Sequence, residues 1–328
     1  ANTDPPAPPL LNSHFGEGDL WGVARHLDQR IVATCGDDRT LRLWDRVRHV
    51  MLCCIILPER GKAVAFSENA DGHLAVGLKD GQVKIYDCGA DGTSLEFVKD
   101  LRPCFDDVFD IKYSPDNRFL AAGSHDDCIH IYDCGCDYRH MGRCQGHSSF
   151  ITAMDWSLDS EFLQTTSGAN ELYYWAMTPS IKKLSSSKQV RDLEWNTWTC
   201  PLGWPVQGIW PEEDEDEDET SKQSVLRTVC RSGAGGSLFA ENSLLAMGDE
   251  LGNVSLYAFP CTHINAPCRV AHGHASMVTN FCFLAPCEDD PSSRMELVST
   301  AAEDQSMLQW RVVPAPTELP AAEPEPSE

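Results

Sequence analysis

Three stretches of this chain read as copies of one another. CGDDRTLRLWD (Cys35–Asp45), GLKDGQVKIYD (Gly77–Asp87) and GSHDDCIHIYD (Gly123–Asp133) each pass from an acidic turn through an apolar alternation to an aromatic residue and Asp. Weaker copies end on Trp175, Tyr257 and Trp310. The aromatic anchors Trp44, Tyr86, Tyr132, Trp175, Tyr257 and Trp310 are spaced by 42, 46, 43, 82 and 53 residues. A fixed period constrains the fold more than any single residue does. Each repeat must be one supersecondary unit that buries its apolar face against its neighbours.

Within a unit, an apolar stretch such as Phe109–Tyr113 leads to a polar turn, SPDNR, then to Phe119–Ala122, the acidic turn and the stretch ending in the aromatic. Val, Ile, Leu, Phe and Tyr at period two favour strands. No window sustains a 3.6-residue apolar period, which argues against a helical array. Four short strands per roughly 40–45 residues predict an all-β fold, a β-propeller of WD repeats. About six repeats are recognisable, and the expected closure is at seven blades. The 82-residue interval after Trp175 is about twice the period. It holds either one blade with an insertion or two blades of which one is atypical.

The anchors resemble the in-blade hydrogen-bond network of WD repeats. There an Asp in the turn orients a His from the preceding Gly-His loop, and a Ser or Thr on the middle strand links that His to the Trp. Asp38, Asp80, Asp126 and Asp304 stand six residues before their aromatics, whereas Ala169 and Leu251 break the pattern. Gly146-His147 and Gly273-His274 supply the turns. His274, Thr300, Asp304 and Trp310 would complete one network in the last blade, and Asp38 would serve Trp44. These residues are read as structural, with no catalytic role.

Residues 1–14 are Pro-rich and read as a linker, 15–313 as the propeller, and 314–328, PAPTELPAAEPEPSE, as a disordered tail. The start lacks a basic n-region and an apolar h-region, so no signal peptide is read there, and the chain is expected to be a fragment of a longer protein. No run of 18 apolar residues exists to span a membrane. Fifteen cysteines, an odd number without an even framework, argue for reduced thiols and a cytoplasmic setting. Cys134 and Cys136 with Cys144 come closest to a metal cluster but lack a second pair, so neither metal nor cofactor is expected. The net charge of −24 opposes nucleic acid or an anionic membrane as partner. Between Trp175 and Tyr257 lies DLEWNTWTCPLGWPVQGIWP (Asp192–Pro211), with four tryptophans, and then eight consecutive acidic residues, Glu212–Glu219. Adjacent like charges repel and are best solvated, which makes the acidic run a surface loop or a docking segment for a basic partner.

RDLEWNTWTCPLG followed by GIWPEE, together with GHSSFITAMDWS (Gly146–Ser157), VTNFCFL and MLQWRV (within Val278–Val312), resembles the echinoderm microtubule-associated protein-like family. GEGDLWGVA and LYAFPCTHINAPCRVAHGH extend the resemblance over about residues 15 to 313. It implies the C-terminal propeller of a tandem pair, tubulin or microtubules as partner, and a place on the cytoskeleton. The hydrophobic motif at the start of the family's tandem domain, its coiled coil and its basic region are not in these 328 residues. The acidic run replaces a shorter, less charged loop.

Three function classes follow: a non-catalytic module that binds tubulin or supports microtubule association, a general propeller scaffold presenting other proteins, and an enzyme. Fold does not choose among them. The sequence holds no G-x-S-x-G elbow, H-E-x-x-H pair or phosphate-cradling Gly loop, and Gly233-Ala-Gly-Gly236 lacks the Lys such a loop needs. The family-specific passages favour the first class.

Overall fold

The computed structural model describes residues 10–14, 16–69, 72–89, 91–102, 104, 106–210, 226–233, 243–286 and 294–313. They form six four-stranded antiparallel sheets, the blades of a propeller. The first described strand is β1 (Leu10–Ser13). Blade one is β2 (Leu20–Arg25), β3 (Ile31–Gly36), β4 (Thr40–Asp45) and β5 (Val50–Ile56). Blade two is β6 (Gly61–Phe66), β7 (His73–Leu78), β8 (Val83–Cys88) and β9 (Leu95–Leu101). Blade three is β10 (Val108–Tyr113), β11 (Phe119–Ser124), β12 (Cys128–Asp133) and β13 (Arg139–Gln145), and blade four is β14 (Ile151–Trp156), β15 (Phe162–Ser167), β16 (Leu172–Ala176) and β17 (Lys182–Lys183). Blade five is β18 (Leu226–Arg231), β19 (Leu244–Asp249), β20 (Asn253–Ala258) and β21 (Cys268–His272). Blade six is β22 (Val278–Leu284), β23 (Glu296–Ala301) and β24 (Ser306–Arg311), and its fourth strand is β1.

Residues 10–13 thus depart from the expected linker. β1 pairs antiparallel with β24, Leu10 opposite Leu308 and Ser13 opposite Ser306. An unpaired β24 would leave an open row of backbone donors and acceptors, and β1 satisfies it. The tail 314–328 and the acidic run Glu212–Glu219 lie outside the described residues.

The pattern of burial explains the strand sequences. β3 (IVATCG) and β11 (FLAAGS) are buried at every position, because a middle strand has a neighbouring blade on both faces. β5, at the rim, is exposed at four of its seven positions. The core accordingly lies between blades. Ile31, Leu41, Leu43 and Leu57 of blade one pack with Val64, Leu74 and Val76 of blade two, and Leu20, Val32 and Trp44 pack with Cys282, Leu284 and Val298 to close blade six onto blade one.

The long interval resolves into one four-stranded blade, blade five, preceded by a wedge. Residues 194–200 lie between the innermost strands of blades four and five. Asn196 N donates to Trp156 O at 2.8 Å and Leu158 N to Glu194 O at 2.9 Å, while Arg231 N donates to Thr197 O at 2.8 Å. Trp195, Trp198, Val206 and Ile209 are buried with Val229, Leu245 and Tyr257 in one cluster. The wedge stands where the inner strand of one more blade would stand. The expected count of about six repeats closing at seven therefore meets six complete sheets and this one-strand spacer.

Candidate functional site

The residues read as a structural network fall into two groups. In blade one, Trp44 Nε1 donates to Thr34 Oγ1 (2.8 Å), which lies 2.8 Å from His14 Nε2, and His14 Nδ1 lies 2.9 Å from Asp38 Oδ2. In blade four, Trp175 Nε1 donates to Thr165 Oγ1 (2.9 Å), His147 Nε2 lies 2.7 Å from that oxygen, and His147 Nδ1 lies 3.0 Å from Glu171 Oε2. In blade six, Trp310 Nε1 and His274 Nε2 both stand 2.7 Å from Ser299 Oγ, and His274 Nδ1 is 3.2 Å from Asp304 Oδ2. A carboxylate only accepts, so each imidazole carries its proton on Nδ1 and takes the hydroxyl proton at Nε2.

Thr300 is not the bridging hydroxyl. Trp310 pairs with Leu297, and side chains two apart share a face of the strand, so Ser299 faces the indole. Thr300 points to the opposite face, 3.0 Å from Thr279 Oγ1. His14 and Glu171 were missed. His14 follows Ser13 where a Gly was sought, and Glu171 stands four residues before Trp175, not six, its longer side chain covering the difference. In blades two, three and five the anchor is Tyr, and the position of the hydroxyl is held by Val76, Ala122 and Met247, opposite Lys84, His130 and Ser255. Among the described residues Asp80 of blade two bonds only within its own turn, to Gln82. Asp126, in the turn before β12, meets His130 Nε2 at 3.2 Å.

The rigid frame these networks hold presents a different set of side chains at one end of the central channel. Every innermost strand carries a register shift at its second residue, between Leu20 and Gly22, Gly61 and Ala63, Val108 and Asp110, Ile151 and Ala153, Leu226 and Thr228, and Val278 and Asn280. A bulge re-aims the extra side chain. Among the described side chains the bulged residues are Trp21, Lys62, Phe109, Thr152 and Thr279. Trp21 meets Phe109 edge-on with ring centroids 5.6 Å apart, Phe109 stacks on His125 at 5.1 Å, and His125 meets Phe150 at 4.8 Å. Lys62 Nζ lies 4.3 Å above the Trp21 ring and 2.7 Å from Asp37 Oδ1. Phe150 is 39% exposed, and neither Trp21 Nε1 nor His125 Nε2 has a hydrogen-bond partner among the described residues. Burial raises the Asp19 carboxyl above its usual range, with Asp37 adding to the effect; burial likewise raises Asp107, against the pull of His125 and Lys62. An aromatic row beside a lysine and partly desolvated carboxylates suits contact with a protein surface, where rings supply area and charges set register.

Deeper in the channel, burial alone would lower Lys112, but Asp110 and Asp155 raise it. Asp155 also accepts from Thr197 Oγ1 (2.8 Å) and Trp198 N (2.7 Å), which anchors the wedge. Among the described residues no three His, Cys, Asp or Glu side chains could hold a metal ion. Cys134 packs in the cluster on the blade-two side of blade three and Cys144 in the one on the blade-four side. All fourteen described cysteines are free thiols. No helix among the described residues is long and apolar enough to cross a membrane.

Comparison with known proteins places this geometry. The chain is 38% identical over 312 residues to echinoderm microtubule-associated protein-like 1 of Homo sapiens, covering 93% of this chain and 34% of that protein. It is 35% identical to echinoderm microtubule-associated protein-like 3 of Homo sapiens, covering 94% of this chain and 32% of that protein. To the 77 kDa echinoderm microtubule-associated protein of Strongylocentrotus purpuratus it is 36% identical, covering 93% of this chain and 40% of that protein. The chain therefore spans between about a third and two fifths of the length of these relatives. A chain of the structure described as "Crystal Structure of Mitotic Checkpoint Complex" superposes with a TM-score of 0.62 at 18% identity, covering 95% of this chain and 93% of that one, a likeness of fold alone. Residues 20–312 match the family described as the echinoderm microtubule-associated protein second beta-propeller, and the chain belongs to that family.

Proposed function

We propose that this propeller is a non-catalytic interaction module that engages tubulin or supports microtubule association, and that it works on the cytoskeleton. The observation that carries the reading is the family match over residues 20–312, shared with relatives named as microtubule-associated proteins. The mouth of the channel, with Trp21, Phe109 and Phe150 beside Lys62, is the face proposed for the contact.

The test is co-sedimentation of the chain with microtubules alongside size exclusion with free tubulin dimers. Co-elution or co-sedimentation of the parent protein is expected. Phe150→Ala and Lys62→Met should weaken it several-fold, since truncating an aromatic anchor at an interface centre typically costs about 1–4 kcal/mol. Absence of both complexes would overturn the reading. Unaltered binding by both variants would move the contact away from the mouth.

A further inference from the structure

Between the outer strands of blades two and three runs a cleft of about 600 Å³. Its floor is His130 and Tyr132 of β12, each 2% exposed, with His140 of β13 lying over both rings at centroid distances of 5.6 and 5.5 Å. Two polar atoms of that floor lack a hydrogen-bond partner among the described residues, His130 Nδ1 and Tyr132 Oη. The orphaned hydroxyl has a cause in the sequence. The position that holds Thr34, Thr165 or Ser299 in the tryptophan blades is Ala122 here, so the anchor has nothing to bond. Native proteins rarely leave such groups unmade, and one lining a cleft marks a place for a ligand atom.

The walls are cationic. Arg102 and Arg143 line the cleft and make no ion pair among the described residues, in a chain whose net charge is −24. The acidic wall residue, Asp100, is already paired with Lys84. Burial raises the Tyr132 hydroxyl, which keeps it a donor.

We propose that this cleft binds a phosphate group, esterified or free, with Arg102 and Arg143 pairing its oxygens and Tyr132 Oη donating to it from the floor. Guanidinium forks match phosphate oxygens better than a single lysine does, and two of them with a neutral donor make a dianion the fitting charge. The ester is carried on a peptide side chain or on a small molecule, or the anion is free phosphate. The cleft is larger than phosphate alone requires.

The test is a titration followed by the arginine Nε–Hε resonances of the whole chain, with O-phosphoserine, inorganic phosphate and glutamate as separate probes. Saturable binding of O-phosphoserine is expected. Equal affinity for inorganic phosphate would assign the site to the free anion, and tighter binding of O-phosphoserine to an esterified one. Arg102→Met with Arg143→Met should weaken binding about tenfold or more, while Arg139→Met, an exposed neighbour outside the cleft, should not. Tyr132→Phe separates binding from folding. Removing an orphaned hydroxyl should leave the denaturation midpoint unchanged or raised, yet weaken the phosphate probe several-fold. No saturable binding, equal affinity for glutamate, or full affinity in the double arginine variant or in Tyr132→Phe would each overturn the proposal.

Discussion

Ser299 and Thr300 separate the two faces of one strand. Ser299 Oγ is shared by Trp310 and His274, so Ser299→Ala leaves two buried nitrogens short of a partner and should lower the stability of the protein by about 1–3 kcal/mol. Thr300→Ala should cost less, and the pair of denaturant midpoints checks this order. The same networks set the response to acid. Burial lowers His14 and His147 despite their carboxylate partners. Below about pH 6.5 the unfolded chain therefore takes up protons that the folded chain resists, and stability falls as pH drops. Burial would raise Asp304, but His274 and the backbone donors of Ser306 and Ala275 hold it at about 2; Asp38 is lowered chiefly by His14, and Glu171 by Ser148 N first. A second loss should begin below about pH 4. Urea midpoints measured from pH 7 to 3 should fall in these two stages, and Asp304→Asn should shrink the lower one. At this scale the sequence was partly legible. Spacing points to Asp38, Trp44, Asp304 and Trp310 and the Gly-His turns to His147 and His274 as candidates, while the parity of β23 favours Ser299 over Thr300 as the hydroxyl beside Trp310.

Among the elements, the period of the aromatic anchors made the blades readable because each blade repeats the same burial. The wedge was not readable, since nothing in a repeat announces a segment that breaks it. Its tryptophans marked it as buried without saying against what. Trp198 is 4% exposed and packs on Phe259 at 5.5 Å between centroids. Trp198→Ala should destabilise the protein by about 3–5 kcal/mol, as truncation of a large core side chain does. Asp155→Ala should act on the same element by freeing Thr197 and Trp198 from their anchor. If the thermal unfolding of either variant matched the parent, the wedge would be dispensable to the ring. The recurrent bulges were invisible for a different reason: a bulge changes which way a side chain faces without changing the apolar alternation around it.

For the molecule as a whole, closure rests on the seam between the first and last blades. β1 pairs with β24, and Arg46, 2% exposed, reaches across to Glu296 Oε2 (2.5 Å) and to Ala285 O (2.7 Å). Arg46→Met leaves the part-buried Glu296 with Gln309 as its remaining partner among the described residues and should cost about 3 kcal/mol, the lower end of what breaking one side of a buried pair costs. Deleting residues 10–13 should lower the melting temperature further and expose β24 to pairing between molecules, read as concentration-dependent association in light scattering. An unaltered melting temperature would mean that the seam holds through side chains alone. The repeat period made the ring expected, but its closing strand went unseen because β1 lies in a Pro-rich stretch and is too short to carry a pattern.

That seam also orders events in time. Of the strands of this propeller β1 leaves the ribosome first and β24 last, so the earliest of them has no mate until the whole ring has been made. Pairing them then joins positions about 300 residues apart, a contact whose entropic cost falls late and slows the final step. Throughout synthesis the growing edge remains open to strangers, and the newborn chain depends on whatever shields that edge until its own first strand comes home.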